Sequence, residues 1–218
     1  MTSELNAPDT AYELELLQTL LESAACWLDV ACGTGYFLRR FPHVKRTGID
    51  LSPAMLDIAR ASTPGAEFIE QNYLDERAEW VDAFDLVSCM WYAYCLVESV
   101  TELHRLIRNL AAWTSPSGTC FLPLADPSLI TGLPLQYRLQ SGGNAGEVTL
   151  TGIIWNYSED DGTKVHADLI APQVEVMVER FERHFDKVTL VRYPPTFPGW
   201  TGRPAIIAQK KRPVPCPP

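Results

Sequence analysis

The ten residues CWLDVACGTG, positions 26 to 35, constrain the fold more than any other part of the chain. A short apolar run, Cys26 to Val30, is bounded by a turn and reads as a buried strand. The glycines at 33 and 35 let the backbone turn sharply and pass close to something bound. The same rhythm then repeats. RTGIDL (46–51) is a second strand with Asp50 near its end, and Ser52 caps a helix that opens with Pro53 and runs to about Ala61. Ala66 to Glu70 is a third strand, and FDLVSCM (84–90), apolar and continuous, is a central fourth. Glu98 to Trp113 is an amphipathic helix with Val100, Leu103, Ile107 and Leu110 on one side. After the turn Pro116–Ser117–Gly118, Thr119 to Leu124 is a fifth strand. Strands alternating with helices make a parallel sheet covered on both faces. Two further helices are expected: one starting at Asp9 or Thr10, with Glu13 and Glu15 in its acidic first turn, and one over Tyr36 to Phe41.

After residue 125 the alternation stops. Residues 127 to 146 are rich in Pro and Gly and read as a loop. Glu147 to Tyr157 and Thr163 to Ile170 alternate about the turn Asp160–Asp161–Gly162, which reads as an antiparallel hairpin. A helix (Pro172 to Phe185) and a strand (Val188 to Tyr193) follow. A Pro/Gly/Trp loop then leads to a last strand, Ala205 to Lys210. The reading is one α/β domain over 10–212 with an insertion at 127–171, and tails 1–9 and 213–218 without order. Lys210, Lys211 and Arg212 read as an exposed end.

Composition narrows the function. Eighteen Lys and Arg stand against 27 Asp and Glu, a net charge of −9, so a basic face for a phosphate backbone is not expected. No stretch approaches the ~18 apolar residues of a membrane-spanning helix. MTSELNAPDT has neither the basic nor the apolar region of a secretory signal. The six cysteines (26, 32, 89, 95, 120 and 216) have no CxxC pair or framework spacing and read as free thiols in a reducing cytoplasm. None of the usual Cys/His spacings marks a metal site. These features point to a cytoplasmic protein with a small-molecule ligand and neither nucleic-acid nor membrane partners.

The glycine loop is informative about that ligand. It resembles the dinucleotide loop G-x-G-x-x-G, but Leu38 stands where the third glycine would be. Asp29 lies just upstream, where it would repel a pyrophosphate and suit a cationic group. Asp50, 17 positions after Gly33, is placed to accept hydrogen bonds from two ribose hydroxyls. Together the two features suggest a ligand with a ribose and an ammonium group but no phosphate, a description that S-adenosylmethionine fits.

DVACGTG, GIDLS, the FDLV strand and the PSG turn before TCFLPL, in this order and spacing over residues 20 to 125, resemble a class I S-adenosylmethionine-dependent methyltransferase. The resemblance implies a Rossmann-like seven-stranded, mostly parallel sheet of order 3-2-1-4-5-7-6 with strand 7 antiparallel. It also implies helices on both faces and an antiparallel hairpin inserted as a substrate cap. Carried over by position, Asp29, Ala31, Gly33 and Gly35 would form the loop around the methionine part. Asp50 would hold the ribose, and Leu51 would line the adenine. Asn72 and Tyr73 stand where the family usually has an acid contacting adenine N6, a departure from its pattern. Met90 and Trp91 would border the sulfonium. No N-P-P-[YF] run follows the fourth strand, which reads CMWYAY; a small-molecule acceptor is implied instead of a nucleic acid or a protein amide.

Beyond the cofactor, Tyr92 and Tyr94 lie just past the fourth strand, and Trp155, Tyr157 and Trp200 in or near the cap. These aromatics either line a substrate pocket or simply pack. His166, in the second hairpin strand, and Asp126, at the end of the fifth strand, are candidate general bases for an acceptor that must lose a proton. The readings left standing are methyl transfer to O or N of a small metabolite, a non-catalytic S-adenosylmethionine-binding module, and an NAD(P)-dependent oxidoreductase. The first makes the chain an enzyme, as monomer or homodimer.

Overall fold

A computed structural model describes residues 7–140, 147–158, 165–195 and 201–213. Within them, seven strands form one sheet: β1 (Cys26–Val30), β2 (Lys45–Asp50), β3 (Glu67–Glu70), β4 (Phe84–Cys89), β5 (Thr114–Pro123), β10 (Phe185–Arg192) and β11 (Pro204–Lys211). Four more strands lie outside it: β6 (Arg138–Gln140), β7 (Glu147–Thr149), β8 (Gly152–Ser158) and β9 (Val165–Pro172). The sheet order is β3-β2-β1-β4-β5-β11-β10. β1 to β5 pair in parallel, and β11 is antiparallel to both its neighbours. Counted within this sheet alone, that is the expected 3-2-1-4-5-7-6 with an antiparallel seventh strand.

Successive residues of a strand point to opposite faces, and this chain uses both. In β1, Trp27 packs on one side and Leu28 on the other; in β4, Leu86 and Val87 divide likewise, as do Phe121 and Cys120 in β5. Helix α1 (Ala7–Leu21), through Leu17 and Leu21, and α2 (Pro53–Ser62), through Leu56 and Ala59, cover the Trp27 side. Helices α3 (Val100–Trp113) and α5 (Val174–Phe181) cover the other with Leu103, Leu106, Met177 and Phe181. Each such side chain is fully buried, which contributes ~1.5–3 kcal/mol for each Leu, Met and Phe. The helix starts follow the sequence signals. Ser52 Oγ accepts from Met55 N at 3.4 Å, and Ser99 Oγ accepts from Glu102 N at 3.2 Å.

Several local expectations are corrected. The chain after Gly35 makes no α-helix. It runs through turns into a single 3₁₀ turn, Leu38–Arg40, because Pro42 follows and Phe41 has already left helical space (φ −123°, ψ 66°). Helix α1 begins at Ala7, so Asp9 and Thr10 lie inside it and cap nothing. The turn at 116–118 lies within β5: Phe84 pairs with Thr114 but Leu86 with Thr119, so the intervening residues loop out. The alternating run 147–157 is two strands. β7 pairs with β6, and β8 pairs with β9. The handover takes two residues: Leu150 N–H donates to Tyr137 O at 2.9 Å, and Thr151 O accepts from Gln173 N at 2.9 Å. The 127–146 segment also carries a short helix, α4 (Pro127–Thr131). Lys211 is no exposed end: its side chain is 7% exposed, and its ammonium donates to Asp82 and to the carbonyls of Ala112 and Thr114. The turn 160–162 lies outside the described residues.

Candidate active site

The glycine loop begins where β1 ends. Ala31, Gly33 and Gly35 all adopt left-handed backbone (φ 55°, 54° and 69°). The two glycines serve different purposes. A Cβ on Gly35 would meet Phe68, Thr63 and Ala59 at 3.1 to 3.3 Å, so that glycine lets the loop pack on α2 and β3. A Cβ on Gly33 would meet nothing within 4 Å, so its missing side chain leaves open space on the cavity side. Asp50 fixes this loop. Its Oδ2 accepts from Gly33 N at 2.8 Å, and its Oδ1 accepts from Ser52 N at 2.9 Å.

Beneath the loop lies a buried chain of hydrogen bonds. Trp27 Nε1 donates to Ser88 Oγ at 2.8 Å, and Ser88 Oγ donates to Asp29 Oδ1 at 2.6 Å. Asp29 is 1% exposed. Burial pushes its carboxyl up to about 7, the Ser88 hydrogen bond opposes the rise, and the nearby Asp50 charge adds to it.

A cavity of about 700 Å³ opens at the C-terminal ends of β1, β4 and β5, the edge where open α/β sheets bind ligands. From the loop it takes Asp29, Ala31 and Gly33. From the segment after β4 it takes Met90, Trp91 and Tyr92. From the far wall it takes Asp126, Trp155 and His166. Residues from five separate stretches of the sequence, all singled out in the sequence, therefore meet around one hollow. Trp91 and Tyr92 are held in left-handed backbone (φ 49° and 60°), a strain that non-glycine residues adopt only when surrounding contacts impose it. Trp91 packs on Phe37 and Tyr36, with ring centroids 5.0 and 5.2 Å away.

Other singled-out residues stand elsewhere. Tyr94 is core, 1% exposed, and its hydroxyl accepts from Ala125 N at 2.8 Å; it braces the strand end and does not line the cavity. Leu51 is 58% exposed, beside the Asp50 carboxylate. Asn72 Oδ1 accepts from Leu74 N at 2.9 Å, so the acceptor envisaged for adenine N6 already serves a local turn. Tyr73 packs against the core, and its carbonyl accepts from Asn109 Nδ2 at 2.9 Å. Asp126 is committed as well: Oδ1 caps α4 by accepting from Ser128 N at 2.9 Å, and Oδ2 lies 3.6 Å from Arg192 Nη1. His166 is half-buried and sits opposite Tyr157 across the hairpin, ring centroids 6.2 Å apart. Trp200 lies outside the described residues.

Sequence reasoning missed the contribution of α1. Asp9, on its first turn, lines the cavity and pairs with Arg203 at 2.9 Å. The Arg203 guanidinium lies 5.1 Å from the Tyr92 ring centroid, close enough for a cation–π contact. One turn on, Glu13 is 2% exposed and accepts from the Tyr193 hydroxyl at 3.2 Å, while its Oε2 is sealed without a hydrogen bond. Burial pushes the Glu13 carboxyl up to about 7, with Tyr193 and Arg203 opposing the rise. The only trace in the sequence was two acids four apart, which also describes a solvated first turn.

Residues 28–118 match the family model described as "Methyltransferase domain". A dTDP-4-amino-2,3,4,6-tetradeoxy-D-glucose N,N-dimethyltransferase from Saccharopolyspora spinosa is 31% identical over 118 residues, 53% of this chain and 47% of that protein. A trans-aconitate 2-methyltransferase from Enterobacter sp. (strain 638) is 30% identical over 128 residues, 56% of this chain and 48% of that one. The chain thus spans about half the length of the curated relatives it matches. Among solved structures, S-adenosylmethionine-bound CalS10, an amino pentose methyltransferase from Micromonospora echinaspora, superposes with a TM-score of 0.63 at 22% identity, covering 96% of this chain and 92% of that one. The glycopeptide N-methyltransferase MtfA, complexed with S-adenosylhomocysteine, superposes with a TM-score of 0.68 at 15% identity, covering 91% and 88%. The fold is that of these S-adenosylmethionine-dependent methyltransferases, and residues 28–118 match a methyltransferase domain.

Proposed function

We propose that this chain transfers the methyl group of S-adenosylmethionine to an O or N atom of a small molecule. The observation that carries the reading is the Asp50-pinned loop, with Gly33 facing open space beside a buried acid. Open space at Gly33, with Asp29 in the cavity wall, Asp50 bonded to the loop and no basic side chain on the loop itself, fits a cofactor with a ribose and an ammonium group. Asp50 would hold the ribose hydroxyls with its remaining lone pairs. Asp29 would face the amino group, and Gly33 and Ala31 would supply backbone contacts.

When bound, the cofactor supplies an electrophilic methyl on a sulfonium. The protein's part is then to position the acceptor and exclude water. Met90, Trp91 and Tyr92 form an apolar wall suited to dispersing charge as the sulfur becomes neutral. The cavity continues from Gly33 to Trp155 and His166. That extent beyond the loop supports an enzyme over a binding module, which needs room for the cofactor alone. His166, in the cap, is the group free to take a proton from a hydroxyl or ammonium acceptor. Asp126, occupied by its cap and its arginine, is better read as a support for the wall.

The relatives named above include one that acts on an amino sugar and one on trans-aconitate, which leaves both N and O acceptors in view. A soluble, cytoplasmic protein, monomer or homodimer, with no nucleic-acid partner fits the acidic composition. No described helix is long and apolar enough to cross a membrane. The test is transfer of a labelled methyl from S-adenosylmethionine to panels of amino sugars and polycarboxylic acids. Incorporation that Asp50→Ala abolishes bears the reading out. Cofactor binding without transfer to any acceptor favours the binding module.

A further inference from the structure

On the face of the sheet away from α1, α3 and α5 lie side by side and share a patch of positive charge. Arg105 and Arg108 stand one turn apart on α3. Arg180 and Arg183 stand one turn apart at the end of α5. Arg180 is half-buried and the other three are exposed. Two histidines register the field. His104 is held below its ordinary range by burial and by Arg180, Arg183 and Arg108, and His184 by burial and by Arg108, Arg183 and Lys211. Arg108 and Arg183 act on both rings, so the two helices bring their charges to one place.

Acids stand near enough in sequence to neutralise these charges and do not. Glu179 precedes Arg183 by four positions and Glu102 precedes Arg105 by three, spacings at which a helix pairs opposite charges. Neither pair forms. Glu179 accepts from the Tyr137 hydroxyl at 3.1 Å and lies 3.9 Å from Arg138, and Glu102 Oε2 accepts from Glu98 N at 2.7 Å. Asp186 pairs with Arg212 at 2.8 Å. Glu175, Glu179 and Glu182 recur four and three positions apart, which puts the α5 acids on one stripe and Arg180 and Arg183 on another. Among the described residues, none of the four arginines is in an ion pair. Like charges held together without a counter-charge repel one another, and in a chain of net charge −9 such a patch asks for an anion from outside.

The layout says which anion. The two arginine pairs sit on neighbouring helices, whose axes pack ~8–10 Å apart, so a single phosphate does not reach both. A nucleic acid is long enough, but it carries charge on every unit. Beyond these four arginines it meets a chain whose −9 becomes −13 without them. We propose that the α3–α5 face docks a short acidic segment of another protein, whose Asp or Glu side chains engage the guanidiniums of both helices. The position leaves the cavity open. β10 starts directly after Arg183 and His184 and runs parallel to β5, because β11 is antiparallel to both. Arg183 therefore lies toward the sheet edge opposite the strand ends that line the cavity. The inference does not depend on the methyltransferase reading.

The probe is fluorescein-labelled deca-L-glutamate, followed by fluorescence anisotropy on the full chain at about 0.05 M salt, where screening is weak. Unlabelled decaglutamate, pyrophosphate and an oligothymidylate of equal charge serve as competitors. The expected result is saturable binding that weakens as salt rises, with decaglutamate the best competitor. Arg108→Ser/Arg183→Ser loses at least fivefold in affinity. Arg39→Ser/Arg40→Ser, which removes the same charge from another exposed pair, loses less than twofold. Arg105→Glu, a single exposed change on the same face, also weakens binding, so the inference is tested even where the double variant does not fold. No binding to the wild type, equal losses in the two double variants, full affinity in Arg105→Glu, or stronger competition by pyrophosphate or oligothymidylate overturns it.

Discussion

Arg203 Nε lies 2.9 Å from Asp9 Oδ2, joining the first helix to the residue that precedes the last strand, across the mouth of the cavity. The Asp9 side chain is 7% exposed and that of Arg203 32%. Removing the arginine alone leaves a carboxylate mostly buried and under-compensated. Arg203→Met is expected to cost about 1–3 kcal/mol in unfolding free energy, and Asp9→Asn in the Arg203→Met background to recover part of it. Urea unfolding of the two single variants and the double variant checks this. Additive costs would mean that the pair carries no coupling.

Gly48, on β2 beside the loop, and Gly33, in the loop, face different neighbours and should fail differently. Gly48→Ala puts a Cβ within 2.7 to 2.9 Å of Cys32 Sγ, Leu38 Cδ1 and Phe68 Cε1, so it strains the contact between β2 and the loop and lowers stability by about 1–3 kcal/mol. Gly33→Ala meets no protein atom and has only the left-handed backbone to bear, about 1–2 kcal/mol. Its Cβ intrudes on the cofactor instead, and S-adenosylhomocysteine affinity should fall by at least tenfold. Melting temperatures and calorimetric titrations of both variants separate the two effects.

The buried acids give the protein an inverted pH response. In the unfolded chain Asp29 and Glu13 titrate from 3.8 and 4.5, while in the folded protein both are raised to about 7 by burial. Between these limits the folded state binds more protons than the unfolded state. These two groups therefore lower stability as pH rises from about 4 to about 7, with no further change above that. Asp29→Asn and Glu13→Gln should flatten the slope, so that each variant gains on the wild type from about pH 5 to about pH 8 in urea midpoints. A bound ammonium beside Asp29 favours its charged form. Cofactor binding should then tighten with pH through about 7 and release protons, an effect that Asp29→Asn removes.

Asp126 and His166 should separate structure from catalysis. Asp126→Ala loses the α4 cap and the Arg192 pair, and should cost about 1–2 kcal/mol of stability. His166→Ala should leave stability within about 0.5 kcal/mol and lower kcat about 10²–10⁴-fold if the acceptor loses its proton to that imidazole. An unchanged kcat in His166→Ala removes it from the mechanism.

These residues also mark how far the sequence carried. Strands β1, β2 and β4 were legible because each is a short apolar run bounded by turn residues. The association of the glycine loop with Asp50 was legible because a strand end, a glycine loop and a second strand-end acid follow one another at a set spacing, and the bond from Gly33 N to Asp50 joins them. The helix after Gly35 was not, because Pro42 stops it after one 3₁₀ turn. Tyr94 and Tyr92 are two positions apart in the sequence, yet only the fold separates a core residue from a cavity wall. Asp9 and Glu13 resemble a solvated helix start until Arg203 and Tyr193 arrive from the other end of the chain. Pairings so distant leave no local pattern to read.

The most direct test of the central claim is calorimetric titration of the wild-type chain with S-adenosylmethionine, S-adenosylhomocysteine and NAD⁺, repeated on Asp50→Ala. The account predicts binding of the two sulfur ligands and not of NAD⁺. It also predicts at least a tenfold loss in Asp50→Ala, since each of the two hydrogen bonds to that carboxylate contributes about 1.5–3 kcal/mol to the order of the loop. Binding of NAD⁺ alone, or equal affinity in the variant, would contradict it.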